Sequence, residues 1–481
     1  MSQTATKPEV DPFDDPETSN KMAIRALVLL LITFILGTLC LQGFNLVFQQ
    51  VGDDVGAPAQ ASLITALPSI VLGIVCFIYG SLGDFVSLKK LVVFGLVILF
   101  IGSLTGYIGN TLFPANLWTV IIARMLQTAG EQVAGSVYLV IATKYLKPSL
   151  KVVFFGIFTA GYQLSAAIGI FAAGLLSAIH WQYLFLIPAV TIVFLPFLLK
   201  VLPNKRGNGE QIDWMGFTIF GLATALLTLF FSYTNWWLLI ASAVCYAVFG
   251  VYISKARNPF ITIDFFKNKR WLMAISLIVV FYFMNYCMSP IFNAVGRDIY
   301  HISTSRVSMY IVWAFLVAAV LGTTSGAIVD RIGRRPAIIA AACLMIVGFG
   351  WSAFAIRSGV IMLTMAACFF YAGVGLMYSP VISTVLDTLP QEQSGRGVGM
   401  NDLVMNVTAS IGIAVIGGLM NGTSLSGGSI TGASGKAATY GNLFLIGACV
   451  VILGLVIYLV FQKTIYADSD QESAKQSATA E

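Results

Sequence analysis

Two charged side chains in the stretch ARMLQTAGEQVAG, Ala123 to Gly135, have the types and spacing for proton chemistry: Arg124 and Glu131. The segment around them, Leu117 to Val140, is otherwise apolar. Seven residues separate them, close to two turns of an α-helix, so both face the same way about 10 Å apart along the axis. A charge near the middle of a membrane costs several kcal/mol unless it is paired or wetted. Taking a carboxyl out of water favours its neutral acid, and a nearby guanidinium favours the anion. A group under both influences suits proton exchange near neutral pH. Glu131 is therefore either a proton-exchange site or half of a structural ion pair with Arg124 or another helix. Asp402, in GMNDLVMN, is the second carboxylate within a hydrophobic span and a candidate coupling or cation-binding acid.

The elements that must position these groups are membrane helices. Of 481 residues, 58% are hydrophobic and 10% charged, against about 25% charged in soluble domains. Apolar runs of roughly 20 residues, enough to span a bilayer, recur near 24–46, 60–80, 89–109, 115–139, 152–176, 181–202, 214–231, 235–254, 271–293, 307–329, 336–356, 358–380, 400–421 and 440–462. The sequence thus predicts an all-α integral membrane protein of fourteen spans, since lipid leaves the backbone few other solutions. With the N-terminus inside, only Arg297, Arg306, Arg357 and Lys436 of the 27 lysines and arginines face out, and Arg124 lies in the membrane. Both termini are expected on the cytoplasmic side of a cell membrane, that of a bacterium. The net charge of +6 reads as an inner-leaflet collar, and a nucleic-acid surface is not expected.

The cysteines all fall within spans and make no disulfide or metal framework. The two histidines, His180 and His301, sit near outer span ends and offer no metal set. The leader is too acidic for a cleaved signal peptide. GASGKA resembles a phosphate loop, but Ile430 stands at its first glycine position and Ala437 replaces the hydroxyl residue. With no nucleophile–base pair either, an enzyme is the least favoured class, and no cofactor is implied.

Two turns repeat. YGSLGDFVSLKK, Tyr79 to Lys90, follows the second span, and SGAIVDRIGRRP, Ser325 to Pro336, follows the tenth. Gly80 and Asp84 correspond to Gly326 and Asp330, and Lys89–Lys90 to Arg334–Arg335. Setting spans 7 and 8 aside, both copies join the second and third helices of a six-helix half. The chain reads as 6+2+6: a tail to residue 22, a bundle over 23–202, a linker with two extra helices over 203–256, a second bundle over 257–463 and a tail to 481. Repeated halves around a central path are a way to build alternating access. The turn glycines would allow close helix approach, and the carboxylates would pair with arginines at the cytoplasmic mouth. Gly80, Asp84, Lys89, Lys90, Asp330, Arg334 and Arg335 are the gating candidates.

GSLGDFVSLKK, RMLQTAG, HWQYLFLIP and the fourteen spans resemble the major facilitator superfamily, and within it the fourteen-helix drug–proton antiporters, including Gram-positive tetracycline efflux proteins. The resemblance runs from about residue 30 to 460. It implies two six-helix bundles around a central cavity and export of amphipathic compounds driven by inward proton flow. It further implies that Asp84 and the turn's basic residues govern the switch, and that Arg124 assists coupling.

The chain departs from that pattern twice. The family's first helix carries an acid five positions before an Asn; counting back from Asn45 gives Cys40. Its fifth helix carries Gly-Pro and Gly-Gly, whereas GYQLSAAIGIFAAG, Gly161 to Gly174, has glycines but no proline. Glu131 stands where the resemblance implies a small residue, and transfer of the protonatable group from helix 1 to Glu131 would explain both that acid and the one missing at Cys40. Gln42, Asn45, Gln127, Gln163, Asn285, Asn293, Asn401 and Asn406 are the polar cavity candidates. Tyr138, Tyr162, Tyr282, Tyr286, Trp313 and Tyr378 are the aromatic ones. Of these, Gln42, Asn45, Gln127, Gln163, Tyr282, Asn285, Tyr286 and Trp313 are the leading substrate contacts. The set suits amphipathic or cationic molecules better than anionic metabolites. The expected function is proton-coupled efflux of such molecules by a monomer. A facilitator or symporter of a small metabolite, and a non-transporting sensor, are the competing readings.

Overall fold

The computed structural model describes residues 16–82, 86–203, 212–390 and 394–467. Helices follow one another almost without interruption. They are α1 (Pro16–Asp54), α2 (Leu63–Leu82), α3 (Leu88–Thr111), α4 (Leu117–Glu131), α5 (Val133–Tyr145) and α6 (Pro148–Ser177). Short α7 (Leu186–Ala189) and α8 (Leu195–Val201) run on between 3-10 turns, followed by α9 (Trp214–Tyr233), α10 (Trp236–Lys255) and α11 (Ile263–Lys267). The chain ends with α12 (Lys269–Tyr282), α13 (Met288–Asp298), α14 (Thr304–Ile332), α15 (Arg334–Ala355), α16 (Val360–Leu386), α17 (Ser394–Asn421) and α18 (Gly435–Ile465).

Among the described residues, twelve helical stretches are long and apolar enough to cross a membrane. The two other expected spans are each built from a pair of shorter helices. The span near 115–139 bends at Gln132 between α4 and α5; that near 271–293 breaks over 283–287 between α12 and α13. Pro290 has a direct part in the second break. It has no N–H to give the carbonyl four residues back, that of Tyr286, so the ladder cannot close across it.

Helices α1 to α8 pack among themselves, as do α12 to α18. The groups meet along two long seams, α2 against α17 and α6 against α14, and α1 also meets α13. Helix α9 pairs with α10 and lies on both α2 and α17, over the first seam. Phe217 of α9 packs edge-on against Phe77 of α2 at 5.3 Å and stacks on Phe260 at 4.2 Å. A Cβ at Gly418 of α17 would lie 2.9 Å from the Phe231 carbonyl of α9. Asp213 starts α9 by accepting the Gly216 N–H at 2.8 Å. Helix α10 leaves Trp236, Trp237, Ile240, Val244, Val248 and Val251 at least half exposed, an apolar surface suited to lipid.

By the succession of helices, α1 begins and α18 ends on the same face of the bundle, here the terminal face; the other is the far face. The glycines of the fifth expected span allow close packing without its missing proline. Gly169 of α6 sits against the Leu39 carbonyl of α1, and a Cβ at Gly43 would come within 3.1 Å of the Gly169 oxygen. The turn between α14 and α15 needs Gly333, whose φ of +84° few L-residues adopt.

Candidate functional site

Helix α4 carries Arg124, Gln127 and Glu131 on one buried face. Glycines bring it against α3. A Cβ at Gly130 would run into the Gly95 carbonyl and lie 2.6 Å from the Leu99 N, and one at Gly102 would lie 2.6 Å from the Gln127 N. This approach puts Gln127 beside Ser103. Arg124 Nη1 donates to Gln127 Oε1 at 2.8 Å, and Gln127 Nε2 donates to Ser103 Oγ at 2.9 Å. The guanidinium carbon stands 4.8 Å from the centroid of the Phe44 ring of α1. Cys40, one turn before Phe44, donates its thiol to the Leu184 carbonyl at 2.9 Å and faces no cavity.

Arg124 and Glu131 form no ion pair. Glu131 is 1% exposed, and neither carboxyl oxygen has a hydrogen-bond partner. The ion-pair alternative for Glu131 is therefore not what the structure contains: the two groups share a face, but two turns keep them apart. A buried carboxyl without a partner is costly as an anion and far less so as an acid. Asp402 of α17 is half-buried, and its side chain makes no hydrogen bond or ion pair with any described residue.

The two carboxyls lie near the same side chains, Asp402 half-buried and Glu131 sealed off. Cys76 of α2 and Tyr162 of α6 are within electrostatic reach of both Glu131 and Asp402. Tyr282 of α12 and Tyr378 of α16 are within reach of Asp402 and Tyr162. Tyr162 and Tyr378 are 37% and 45% exposed although they lie among these groups, so they face a cavity between the two helix groups. Gln163 lies at its α6–α14 wall, its Nε2 3.0 Å from where a Gly322 Cβ would stand.

Toward the far face the groups are closed on each other. Asn45 Nδ2 donates to the Tyr286 carbonyl at 3.0 Å, the acceptor that Pro290 leaves without its helical donor. Tyr286 Oη bonds to Asn406 Oδ1 at 3.1 Å, and Asn45 reaches Gln42 Oε1 at 3.4 Å. Asn293 Nδ2 donates to the Leu46 carbonyl at 2.9 Å, and Ser410 Oγ to the Ala66 carbonyl at 2.7 Å. At the surface Arg297 pairs with Asp53 at 3.0 Å, Arg297 with Asp298 at 3.5 Å and Lys436 with Asp298 at 2.9 Å. These residues edge a polar cavity of about 540 Å³ that Gln49, Asn421 and Tyr440 also line. Burial pushes the Asp298 carboxyl up, but hydrogen bonds from Tyr440 and Lys436, with the charges of Lys436 and Arg297, outweigh it. They hold the group below the usual carboxylate range.

Several expectations are corrected. Trp313 is 62% exposed on the outward face of α14, in line with Met309 and Val320, and takes no part in the cavity. Its side chain points away because Ser308, Ile311, Phe315 and Ala318 occupy the packed face. Asn45 is engaged in closing the far face, and Gln127 is spent on Arg124 and Ser103. Asn285 lies half-buried in the helix break. Among the described residues Gly326 meets no neighbour within 4 Å. Asp330 is exposed and bonds to no described residue, while Arg334 pairs with Asp387, just past the end of α16. Arg335 lies over the Tyr466 ring at 4.5 Å. Lys89 and Lys90 open α3 at the surface, and Gly80 is in the last turn of α2. Asp84 lies outside the described residues. Sequence reasoning missed Ser103, Phe44 and Cys76; only the three-residue spacing of Arg124 and Gln127, one helical neighbour pair, was a usable signal.

A multi-helix membrane protein with two packed helix groups and carboxyls set within its spans has the makings of a transporter. The sequence matches the Major Facilitator Superfamily over residues 29–213 and 274–480, and the chain belongs to that family. It is a secondary transporter and not an enzyme. It is 23% identical over 360 residues to the riboflavin transporter RibZ of Clostridioides difficile, covering 73% of this chain and 78% of that protein. It is 24% identical over 393 residues to the multidrug transporter MdtP of Bacillus subtilis, covering 77% and 70%. A solved D-xylose–proton symporter has the same fold, with a TM-score of 0.63 at 13% identity over 89% of this chain and 97% of that one.

Proposed function

We propose that this protein is a fourteen-span, 6+2+6 exporter of amphipathic or cationic small molecules, exchanging them for protons at Glu131. The carrying observation is the buried, unpartnered Glu131 carboxyl, within electrostatic reach of Tyr162, as Asp402 is. An exchanger must protonate and deprotonate one site in alternate states, and a carboxyl committed to an ion pair is poorly suited to that. Tyrosines and amides around the cavity favour a flat amphipathic ligand, and the likeness to a multidrug transporter agrees with it. In this reading both termini are cytoplasmic and the far face is extracellular. The conformation, closed at the far face, is then inward-facing. Asp84, Asp330 and the basic residues of the repeated turns govern the switch, with the Arg334–Asp387 pair as a contact that the switch remakes.

The test is transport of a fluorescent organic cation in proteoliposomes under an imposed pH gradient. Uphill cation movement, abolished by a protonophore, supports exchange. Movement that only equilibrates the cation, indifferent to the gradient, overturns proton exchange and leaves a facilitator. Uptake of a flat metabolite is the second reading, favoured by Cys40 in place of a helix-1 acid and by the likeness to a riboflavin transporter. Riboflavin in place of the cation tests it in the same vesicles.

A further inference from the structure

Helices α9 and α10 lie outside both helix groups, and the seam beneath them suggests what they do. Helices α2 and α17 run antiparallel in close contact along most of α2. At the far end a Cβ at Gly417 would run into Ser62. Further in, Ser410 Oγ donates to the Ala66 carbonyl at 2.7 Å. A Cβ at Gly73 would lie 3.0 Å from the Leu403 carbonyl, and one at Gly399 would lie 2.8 Å from the Phe77 ring. Phe77 is fifteen residues beyond Ser62, about 22 Å of helix. Small residues let the two backbones meet directly, and packing holds them along that length. The far-face closure between α1 and α13 is of another kind. Side-chain amides make it, and each can let go of its carbonyl.

Helix α9 crosses this seam from one side to the other. At its start Phe217 packs against Phe77 of α2 and stacks on Phe260, which itself meets Phe77 edge-on at 5.7 Å. One turn on, a Cβ at Gly221 would lie 3.0 Å from Ile74 Cδ1 of α2. At the end of α9 the contact passes to α17, where Gly418 admits the Phe231 carbonyl. The helix is thus fastened to α2 toward the terminal face and to α17 toward the far face, as a diagonal brace would be. Asp213 fixes its base, accepting from the Gly216 N–H at 2.8 Å, the Phe260 N–H at 2.9 Å and the Tyr252 hydroxyl. These bonds join the start of α9, the end of α10 and the segment that sets Phe260 among the rings. Along the hairpin Ser242 Oγ donates to the Ala223 carbonyl at 2.7 Å, and Thr224 Oγ1 and Tyr246 Oη share a bond of 2.8 Å. A hairpin tied within itself and attached at opposite corners resists the parting of the two helices it spans.

We propose that the α9–α10 hairpin braces the α2–α17 seam and keeps it joined throughout transport, so that the two helix groups turn about this seam instead of parting along it. Rigid-body motion of one group against the other is the general route to alternating access, and the brace sets where its axis lies. Far-face opening then separates α1 from α13 and leaves α2 on α17. Asp213, Phe217 and Phe260 are positioning residues of the brace. The proposal rests on the transport reading above, so one arm of its test needs no transport.

In the first arm, paired spin labels are placed at Ala59 and Ser424, exposed at the far end of the seam, or at Asp54 and Arg306, exposed on α1 and α14. Asn45→Ala removes a closing bond and should add a long-distance population to the Asp54–Arg306 pair, while the Ala59–Ser424 pair keeps a single one. With Phe217→Ala and Phe260→Ala added, the Ala59–Ser424 pair should gain a second population of at least about one fifth. Splitting of that pair with the rings in place, or none once they are gone, overturns the brace. In the second arm, the native cysteines are replaced by serine and a short bis-methanethiosulfonate bridges introduced pairs. Gly221→Cys with Ile74→Cys ties α9 to α2, and Gly418→Cys with Phe231→Cys ties it to α17. Exchange of a fluorescent organic cation in proteoliposomes should stay within about twofold of the unbridged protein in both cases. The same reagent across Asp53→Cys and Arg297→Cys should cut exchange at least tenfold. A tenfold loss on bridging either hairpin pair, reversed by a reductant, overturns the brace. Exchange that survives the bridge between positions 53 and 297 overturns the transport reading, and the spin labels then decide the brace alone.

Discussion

The far face is held shut by buried amides more than by its visible charges, and substitution separates the two. Asn45 donates to the Tyr286 carbonyl, which Pro290 deprives of a helical donor. Without Asn45 that oxygen is left buried and unsatisfied in the closed state, a cost of about 1–3 kcal/mol. Taking about 2 kcal/mol, Asn45→Ala should move the equilibrium toward far-face opening by roughly 30-fold, since 1.4 kcal/mol is tenfold. The Leu46 carbonyl that Asn293 binds lies within α1, so Asn293→Ala loses only one net hydrogen bond, about 1 kcal/mol or roughly fivefold. Asp53 and Arg297 are 44% and 35% exposed in their side chains, and such pairs contribute about 0–1 kcal/mol. Asp53→Asn should shift the balance by about fivefold or less. Spin labels at Asp54 and Arg306, both exposed on opposite helix groups, report the opening as a long-distance population. At about 1 M salt the screening length falls to about 3 Å, which should abolish the Asp53 effect and leave the Asn45 effect intact. The reasoning fails if Asp53→Asn opens the far face as much as Asn45→Ala, or if salt alone opens it.

Other consequences concern the site and its supports. Gly130→Val drives methyls into the α3 backbone at Gly95 and Leu99; overpacking of this kind costs about 1–3 kcal/mol or more. A thermal unfolding scan should show a clear drop, and Gly109→Ala, where only the Thr119 side chain would have to give, should show little. Asp298 is held below its ordinary value, so it contributes stability that is full above the usual carboxylate range, near pH 4, and is lost as pH falls through its lower folded value. Asp298→Asn should lower stability at pH 7 and flatten that acid limb, as read by unfolding midpoints between pH 7 and pH 3. The exposed Arg334–Asp387 pair should contribute less than about 1 kcal/mol to stability; Asp387→Asn should leave the melting temperature nearly unchanged.

The helices and the buried face of α4 were legible because membrane spans announce themselves by length and hydropathy, and a seven-residue spacing fixes a common face. Arg124 and Glu131 could therefore be placed together from sequence, but their lack of contact could not. Two turns keep them apart, and what the spacing could not show is that Arg124 donates to Gln127, which Gly102 brings beside Ser103 of α3, while no other helix supplies Glu131 with a partner. Trp313 misled because, in a membrane, an aromatic at mid-span has no polar neighbour pattern to say whether it faces lipid or cavity. The repeated turn was legible as a repeat, yet pairing across it was not: Arg334 reaches Asp387 of α16 because α15 and α16 lie side by side. The break at 283–287 was foreshadowed by Pro290, whose effect falls one turn earlier in the chain than the residue itself.

Proton exchange at Glu131 is the central claim, and Glu131→Gln is its most direct probe, because glutamine keeps the size of the neutral acid and cannot release a proton. The measurement is cation transport in proteoliposomes in two modes, uphill under a pH gradient and exchange between equal cation pools at uniform pH. Glu131→Gln is predicted to lose uphill transport and its pH dependence while retaining exchange within about threefold of the unsubstituted protein. Uphill transport that survives with its pH dependence unchanged would contradict the account.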